Sequence, residues 1–240
     1  MLLIDSDFLA YKAAQACEIG IDFGNDVIIS QSQFSDVLRV FENELNKVTK
    51  AMMNDDFILY FSSTHNFRKK IFPDYKGHRN KRKPLGYRRL INHCKKTYNY
   101  CIRPDLEADD AIGIDATKFN DPANIVVSPD KDMKQIPSNL WNLTDDVMEI
   151  TLEDGDRWHL VQTLSGDPTD GYSGCPGIGV KRATELLDKN ENQWEAVTKA
   201  FRDRGLSDDD ALLNARLAKI LRQEDYDHTN SQPILWNPTC

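Results

Sequence analysis

The stretch NIVVSPDKD, residues 124–132, is the part of the sequence that decides the fold. A short run of β-branched residues predicts a buried strand. Two aspartates, Asp130 and Asp132, follow the carboxyl end of this strand with one residue between them. The whole chain already carries a formal net charge of -8. Two further like charges so close together therefore indicate a shared partner, and a divalent cation is a partner that carboxylates bind.

Apolar runs of strand length alternate with helical patterns on both sides of this stretch. LLI (2–4) and FILYF (57–61) predict strands. Helices are predicted over SDFLAYKAAQA (6–16), with Ser6 as its N-cap, and over QFSDVLRVFENELNKVTKAMM (33–53), LGYRRLINHCKK (85–96) and LEADDAIGIDATKF (106–119). Such alternation favours an α/β fold, a mostly parallel sheet with crossover helices on its faces.

The pattern changes after about residue 160, where the sequence predicts helices and no further strands. The helical segments are CPGIGVKRATELL (175–187), NQWEAVTKAFRDRG (192–205) and SDDDALLNARLAKILRQ (207–223), the last with acids at its start. We therefore predict an α/β domain over residues 1–160 and a helical C-terminal subdomain over residues 161–240.

Composition excludes several classes of protein. The N-terminus, MLLIDSDFLAYK, has no basic leader, and no apolar run is long enough to span a bilayer, so neither a secretory signal nor a membrane protein is expected. The five cysteines are scattered and form no CxxC pair. They are typical of reduced thiols in a cytoplasmic protein, and they do not predict a zinc site.

The charges are strongly segregated along the chain. Residues 67–103 contain thirteen Lys or Arg and one acid, a net charge of +12, which leaves -20 for the remaining residues. Aromatic residues, among them Phe72 and Tyr75, are interleaved with these bases. Basic side chains contact phosphates, and aromatic rings stack on unpaired bases. The segment therefore predicts contact with nucleic acid, close to the acidic residues on either side.

Four sets of carboxylates lie at predicted strand ends, at a helix start and in a loop. They are Asp5; Glu107, Asp109 and Asp110; Asp130 and Asp132; and Asp167 and Asp170. Each set alone has an ordinary explanation as a helix N-terminus or a turn. Because ligands bind at the carboxyl ends of parallel strands, the sets together favour a shared metal site. Oxygen ligands without His or Cys suit Mg²⁺ or Mn²⁺, and two such ions catalyse phosphodiester hydrolysis.

The stretch GCPGIGVKRA, residues 174–183, places a glycine turn before a helix. Gly177 and Gly179 leave backbone amides accessible, and Lys181 and Arg182 follow at the helix start. Amides at a helix N-terminus together with nearby cations form a phosphate seat. The turn therefore predicts contact with a duplex backbone, although an ordinary corner between two helices remains an alternative.

The order of these motifs resembles the 5′-nuclease (flap endonuclease-like) family, and most closely its podovirus 5′→3′ exonucleases. The resemblance rests on FPDYKGHR (72–79), LEADD (106–110), SPDKDMKQI (128–136) and GDPTDGYSGCPGIGVKRA (166–183), and it extends over essentially the whole chain. It implies a PIN-like domain, a basic helical arch over the site within residues 67–103, and a C-terminal helix-hairpin-helix-type motif.

The resemblance also implies roles for individual residues. The metal carboxylates would be Asp5, Glu107, Asp109, Asp110, Asp130, Asp132, Asp167 and Asp170, and the catalytic residues Asp5, Asp109 and Asp130 with Lys76 and Arg79 on the phosphate. The DNA-binding residues would be Arg68, Tyr75 (by stacking), Lys76, Arg79, Lys81, Arg82, Lys83, Gly177, Gly179, Lys181 and Arg182. One position departs from the family, because Ser63 stands in the FSST stretch where an aspartate is common.

The expected function is 5′→3′ exonuclease activity on duplex DNA, with two Mg²⁺ ions as cofactors and Mn²⁺ as a substitute. Cleavage of flaps and of RNA primers is also expected, so the partners would be DNA with 5′ ends or flaps and RNA–DNA hybrids. We further expect a monomer that works with a replication single-strand-binding protein, in phage replication and recombination or in host DNA degradation.

Two alternatives remain open at this stage. LLIDSDF contains the Asp-x-Asp pattern of haloacid dehalogenase-type phosphatases, in which the first aspartate is a nucleophile. That interpretation leaves the basic segment unexplained. A non-catalytic DNA-binding module would use the basic segment and the glycine turn, but it leaves the carboxylates without a role. Release of phosphate from small monoesters would support the first alternative, and metal-independent binding without cleavage the second.

Overall fold

The computed structural model describes residues 1–79, 82–119 and 123–238. In chain order the elements are β1 (Leu2–Asp5), α1 (Ser6–Ala16), β2 (Ile19–Asp22), β3 (Ile28–Gln31), α2 (Phe34–Met52), β4 (Phe57–Tyr60), α3 (Arg68–Ile71), α4 (Tyr87–Thr97), β5 (Tyr100–Cys101), α5 (Ala108–Phe119), β6 (Ile125–Val127), β7 (Ser138–Trp141), β8 (Met148–Ile150), α6 (Leu152–Ser165), α7 (Val180–Asp188), α8 (Gln193–Arg202), α9 (Asp208–Ala218), β9 (Tyr226–Asp227) and β10 (Gln232–Pro233). None of the described helices is long and apolar enough to cross a membrane.

Six strands form one sheet in the order β5-β4-β1-β6-β7-β8. All neighbouring pairs are parallel except β7 and β8, which are antiparallel. The predicted α/β class with a mostly parallel sheet is confirmed. Strand β1 lies between β4 and β6, with Asp5 opposite Tyr60 and Ile4 opposite Val127. The residues that follow these three strands therefore meet at one edge of the sheet.

Strand β1 is buried on both faces, which explains its uninterrupted apolar sequence. Leu2 and Ile4 pack with helices α1, α2 and α4, whereas Leu3 packs on the opposite face with α5. The start of α1 differs from the prediction. Asp5, not Ser6, occupies the N-cap position, and the Ser6 hydroxyl donates a hydrogen bond to the carbonyl of Ile4 at 3.0 Å.

The C-terminal helices α6 to α9 enclose a separate apolar cluster that includes Val161, Leu164 and Phe201. The predicted division at residue 160 falls inside α6, which therefore belongs to both parts of the molecule. The expectation that strands stop after residue 160 is wrong. The antiparallel pair β9 and β10 lies near the C-terminus, and each of its strands is only two residues long, too short to produce a periodic pattern.

The basic segment carries helices at its two ends and turns between them. Helix α4 buries Tyr87, Leu90 and Cys94, and it packs on α1 and α2 as part of the domain. Residues 72–79 and 82–86, which we call the strap, contain no helix. Two prolines and two glycines in the strap disfavour helix, so the helices of the predicted arch region, α3 and α4, lie on either side of the strap.

Candidate active site

A cleft of about 860 Å³ opens where the carboxyl ends of β1, β4 and β6 meet. Four predicted carboxylates line it: Asp5 at the end of β1, Glu107 and Asp109 at the start of α5, and Asp130 after β6. Ser128 joins two of these elements. Its hydroxyl donates to Asp5 at 2.9 Å, and the backbone N–H of Asp130 donates to its oxygen at 3.2 Å.

Asp5, Asp130 and Asp132, which we call the Asp5 group, are poorly compensated by the protein. Burial, and then repulsion by Asp7, raises the pKa of Asp5 to about 7. Burial, followed by repulsion from Asp130 and Asp167, likewise raises the pKa of Asp132 to about 7. Burial and mutual repulsion disfavour the charged form of these carboxyl groups, and a bound cation would stabilise that form. An all-oxygen donor set also fits a hard divalent ion such as Mg²⁺ or Mn²⁺.

Glu107, Asp109 and Asp110 form a second set, the Glu107 group, with one carboxylate oxygen from each within 4.8 Å of the others. Burial and the charges of Asp110 and Glu107 raise the pKa of Asp109 well above its ordinary value. Burial acts in the same direction on Glu107. There, however, the attraction of Lys76 and Arg68 outweighs it and lowers the pKa to about 2.

Asp110 and Arg68 form an ion pair below the cleft. Asp110 is fully buried, and its two oxygens accept hydrogen bonds from the Arg68 guanidinium at 2.7 and 2.8 Å. Arg68 is only 2% exposed and also donates to the carbonyls of Leu217 and Lys219. The prediction that Arg68 contacts DNA phosphate is therefore wrong. Asp110, predicted as a direct metal ligand, does not line the cleft, and its carboxylate accepts the N–H of Glu107 at 3.3 Å.

Tyr75 was predicted to stack on a base, but it is 1% exposed, so that prediction is also wrong. Its hydroxyl lies 2.9 Å from a carboxylate oxygen of Glu107 and 2.7 Å from one of Asp170. The ring packs with Tyr172, Leu217 and Ala218, while the hydroxyl lies between two acids from different parts of the chain. Tyr75 therefore fixes the separation of two predicted metal carboxylates.

The acids that follow β6 and α6 form local turns next to the cleft. The Asp130 side chain accepts the N–H of Asp132 at 2.9 Å and caps a short 3₁₀ turn. Asp167 is buried, accepts the N–H of Thr169 at 2.7 Å and lies 3.4 Å from the Lys131 ammonium. The turn-forming explanation thus holds for Asp167, while repulsion among the same acids still raises the pKa of Asp132.

Lys76 and Arg79, the residues predicted to contact the scissile phosphate, lie against the carboxylates. The Lys76 ammonium pairs with Glu107 and lies 3.5 Å from Asp170. Arg79 donates to Asp170 at 2.8 Å and to the carbonyl of Thr169 at 3.0 Å. Both residues also line the cleft, so each joins the strap to the acids while facing the space where a substrate would lie.

The remaining bases of the strap lie in different places. Lys83 lines the cleft, with its ammonium 4.9 Å from the centre of the Tyr87 ring. Arg82 pairs with Glu18 instead and lines a separate groove beside α1. Lys81 lies outside the described residues. The DNA-binding roles predicted for Arg82 and Lys81 stay predictions.

One wall of the cleft was missed by the sequence analysis. Arg88, Asn92 and Lys95 of α4 all line the cleft. Their spacing of four and three residues places them on one helical face, and this pattern could have identified them. Neither Arg88 nor Lys95 has an ion-pair partner among the described residues. Phe8, which is 39% exposed, supplies an aromatic face to the same cleft.

Asp7 also lines the cleft, but its carboxylate is already engaged. It accepts the N–H of Ser62 and the hydroxyl of Tyr87, each at 2.8 Å. Ser62 in turn accepts the N–H of Ala108 at the start of α5. Ser63 is half-buried at the cleft, where the family commonly has an aspartate. Hydrogen bonds of hydroxyl groups and of the Asp7 carboxylate therefore connect the elements on this side of the site.

The glycine turn is exposed and unobstructed. Gly177 has a φ of +74°, a backbone conformation that favours glycine, and a side chain at Gly177 or Gly179 would meet no atom within 4 Å. Ile178 between them is buried. Lys181 and Arg182 are exposed, and Arg182 donates to the Gly177 carbonyl at 2.8 Å. The turn thus presents free backbone and two cations to the solvent.

A cleft with a carboxylate floor and a basic wall, at the carboxyl edge of a parallel sheet, defines a nuclease that hydrolyses phosphodiesters. The family model described as "5'-3' exonuclease, N-terminal resolvase-like domain" matches residues 1–157. The chain therefore belongs to the 5′–3′ exonuclease family. It is 29% identical to the exodeoxyribonuclease of Enterobacteria phage T3 and 29% identical to the exonuclease of Escherichia phage T7. Each alignment covers 99% of this chain and 93% of the relative. Neither the phosphatase nor the non-catalytic module is supported.

Solved structures show the same fold. The bacteriophage T5 5′-exonuclease with bound zinc ions matches with a TM-score of 0.68 and 16% identity, over 91% of this chain and 88% of the other. A complex of the T5 flap endonuclease with DNA and metal ions gives 0.67 at 16% identity, with the same coverage. The catalytic core of Rad2 bound to a DNA substrate gives 0.52 at 10% identity, over 98% and 82%.

Proposed function

We propose that the protein removes nucleotides from duplex DNA in the 5′→3′ direction with two Mg²⁺ ions, for which Mn²⁺ substitutes. The observation that supports this function most strongly is the convergence of four carboxylates from three elements on one cleft with a basic wall. A cleft that accommodates both divalent cations and phosphates is what phosphodiester hydrolysis requires.

The carboxylates that line the cleft, Asp5, Glu107, Asp109 and Asp130, would hold the ions together with Asp132, Asp167 and Asp170 beside them. When bound, paired divalent ions activate the attacking water and stabilise the leaving oxygen. Ser63 leaves one carboxylate fewer than is common in the family, so we expect the ion next to it to bind more weakly.

Lys76 and Arg79 would bind the scissile phosphate. Both line the cleft and both pair with acids of the site, so a phosphate that enters with its cations finds these bases already in place. Bases positioned before the reaction stabilise developing charge without reorganisation.

The wall formed by α4 would guide the strand that is cleaved. Arg88 and Lys95 are available for phosphates, and the exposed ring of Phe8 can stack on a base, the role that buried Tyr75 cannot fill. The glycine turn from Gly177 to Arg182 would grip the duplex backbone away from the cut.

The substrate range follows from these contacts. They address phosphates and base faces, which RNA shares, so flaps and RNA–DNA hybrids would also be cleaved. The expectation that the protein acts as a monomer stays a prediction. A replication single-strand-binding protein as partner stays a prediction.

Duplexes labelled at the 5′ or at the 3′ end test this function, with Mg²⁺ or with EDTA. We expect Mg²⁺-dependent loss of the 5′ label, abolished by Asp130→Ala with DNA binding retained. Asp146→Ala, which removes an exposed acid away from the cleft, is the matched control and should cleave normally. Loss from the 3′ end, or binding without cleavage under every condition, would overturn the proposal.

A further inference from the structure

The chain at the end of α9, residues 217–221, lies beneath both acidic groups of the active site. The N–H of Leu221 donates to Asp110 at 3.2 Å. The carbonyls of Leu217 and Lys219 accept from Arg68 at 3.0 and 2.5 Å, and Arg68 pairs with Asp110. The backbone of this segment therefore supports the Glu107 group from below.

The same segment reaches the Asp5 group through two buried glutamines. Gln135 donates to the carbonyl of Ala218 at 2.7 Å and accepts the N–H of Ile220 at 3.0 Å. Its amide also donates to the side-chain oxygen of Gln162 at 2.6 Å, and Gln162 donates to Asp132 at 2.5 Å. Gln135 is 1% and Gln162 3% exposed, so water does not compete for these bonds.

The backbone fixes the direction of this chain of hydrogen bonds. A carbonyl only accepts and an N–H only donates, so Ala218 and Ile220 determine which end of the Gln135 amide faces each of them. Gln135 therefore presents N–H groups to Gln162, whose oxygen must face Gln135. The remaining NH₂ of Gln162 is thereby directed at Asp132.

We propose that Gln135 and Gln162 are positioning residues that hold Asp132 ready to bind a divalent cation. The inference rests on the proposed function, in which Asp132 belongs to the metal site. A donor on one carboxylate oxygen favours the charged form and leaves the second oxygen for the cation. Helix α9 packs with α6 and α8 in the C-terminal subdomain, so the part of the chain that carries the glycine turn also orients the metal carboxylates.

Binding of Mn²⁺ to the protein without DNA, followed by electron paramagnetic resonance, tests the proposal independently of cleavage. We expect Gln162→Met and Gln135→Met each to weaken binding about tenfold, the lower end of the range for residues that orient metal ligands. Because both act through one chain of hydrogen bonds, the double variant should bind no more weakly than either single variant.

Thr163→Val is the matched control for a loss of stability. Thr163 follows Gln162 in α6 and is fully buried, and its hydroxyl donates to the His159 carbonyl within the same helix. It should lower the melting temperature while leaving Mn²⁺ affinity unchanged. Gln135 reaches Asp132 only through Gln162. If Gln162→Met fails to fold, the Mn²⁺ affinity of Gln135→Met therefore tests the positioning role by itself.

Asp132→Asn distinguishes a failure of the proposed function from a failure of the positioning role. If this variant binds Mn²⁺ as tightly as the unmodified protein, the role of Asp132 in the proposed function fails. If Asp132→Asn weakens binding but folded Gln135→Met and Gln162→Met do not, the positioning role is overturned. Equal losses in Thr163→Val and the glutamine variants would also overturn it, because stability alone would then explain them.

Discussion

The two acidic groups of the site contain the same kinds of residue within one cleft region, yet the protein treats them in opposite ways. Two of the three acids in the Glu107 group are paired with internal cations. Arg68 neutralises Asp110, and Lys76 with Arg68 lowers the pKa of Glu107 to about 2 despite burial. Among the described residues, the acids of the Asp5 group accept hydrogen bonds from neutral donors, such as the Ser128 hydroxyl and the Gln162 amide, and burial raises the pKa of Asp5 to about 7.

This difference separates two uses of a carboxylate. The charges of Glu107 and Asp110 are neutralised inside the fold, so loss of their cationic partners should destabilise the protein. The charges of Asp5 and Asp132 are only partly compensated, since the pKa of each is raised to about 7, so these two acids should depend on an external cation. The predictions that follow test this division.

Arg68→Met should have the largest effect, and it should act on stability. It leaves Asp110 buried without a partner, which typically costs about 3–5 kcal/mol in the free energy of unfolding. Urea denaturation in EDTA measures the loss. Arg68→Met combined with Asp110→Leu should recover part of it, and Arg89→Met, at an exposed position, should cost little. A loss below about 1 kcal/mol would show that the pair does not hold the fold.

Asp5→Asn should act on cleavage instead. We expect single-turnover cleavage to fall by about 10²–10³-fold, the scale of losing one preorganised charge contact. The metal-free protein should be at least as stable as before, because one of several repelling charges has been removed. If Asp5→Asn lost stability but retained cleavage, Asp5 would serve the fold rather than the chemistry, the opposite of what we expect.

The stability of the metal-free protein should depend on pH through the Asp5 group. The pKa values of folded Asp5 and Asp132, about 7, lie above the unfolded value of about 3.9. The folded state therefore retains protons that the unfolded state releases, and stability falls as pH rises from about 4 to 7. Glu107 acts in the opposite sense, but only below its unfolded pKa of about 4.3.

Urea midpoints measured in EDTA across this range provide the check. Asp5→Asn should flatten the slope by up to about 1.4 kcal/mol per pH unit, the value for one proton. Added Mg²⁺ should raise stability most at the upper end of the range, where the carboxylates are charged. A free energy of unfolding that stays constant between pH 4.5 and 7 would show that other groups in the folded protein balance the charges of these acids.

Ser63→Asp should strengthen cation binding by about tenfold, since the charge of the ligand set tunes affinity for hard cations. The new carboxylate adds to the side of the site where Asp5 has no cationic partner. Calorimetric titration with Mn²⁺ measures the change, and His65→Asp, exposed and outside the cleft, is the control. Unchanged affinity would mean that Ser63 does not face the ion.

The smallest effects are expected on the α4 wall. Lys95→Ala should weaken DNA binding by about threefold to tenfold and lower the salt dependence by about one unit, as for one phosphate contact. The turnover at saturating DNA should stay the same. Lys96→Ala, on the same helix but outside the cleft, should behave as the unmodified protein. Equal effects of Lys95→Ala and Lys96→Ala on DNA binding would show that the face of α4 in the cleft does not contact the substrate.

The carboxylates that line the cleft could be predicted because short-range patterns place them. The strand before Asp5 and the strand before Asp130 are evident from their apolar runs, and parallel pairing brings their ends together. Strands β7 and β8 were missed because SNLW and MEI are short and partly polar. The α4 wall was missed because its three residues were counted only as part of the basic segment.

The errors at Arg68 and Tyr75 have another cause. Both residues lie in the most basic part of the sequence, where charge predicts contact with phosphate. Their partners, Asp110 and Glu107, lie more than thirty residues further along the chain. Nothing in a local window distinguishes a base that faces DNA from one that neutralises a buried acid, so only the tertiary structure could separate them.

The support that residues 217–221 give to the acids has a consequence for biosynthesis. The ribosome makes the chain from the N-terminus, so Asp5, Asp110 and Asp132 exist long before Leu221 is added. Until then Arg68 and Gln135 lack the backbone groups that hold them. A nascent chain, or one broken by premature termination before residue 217, therefore carries every carboxylate of the site without the backbone groups that lie beneath them. We expect nuclease activity to appear only after this segment has been made.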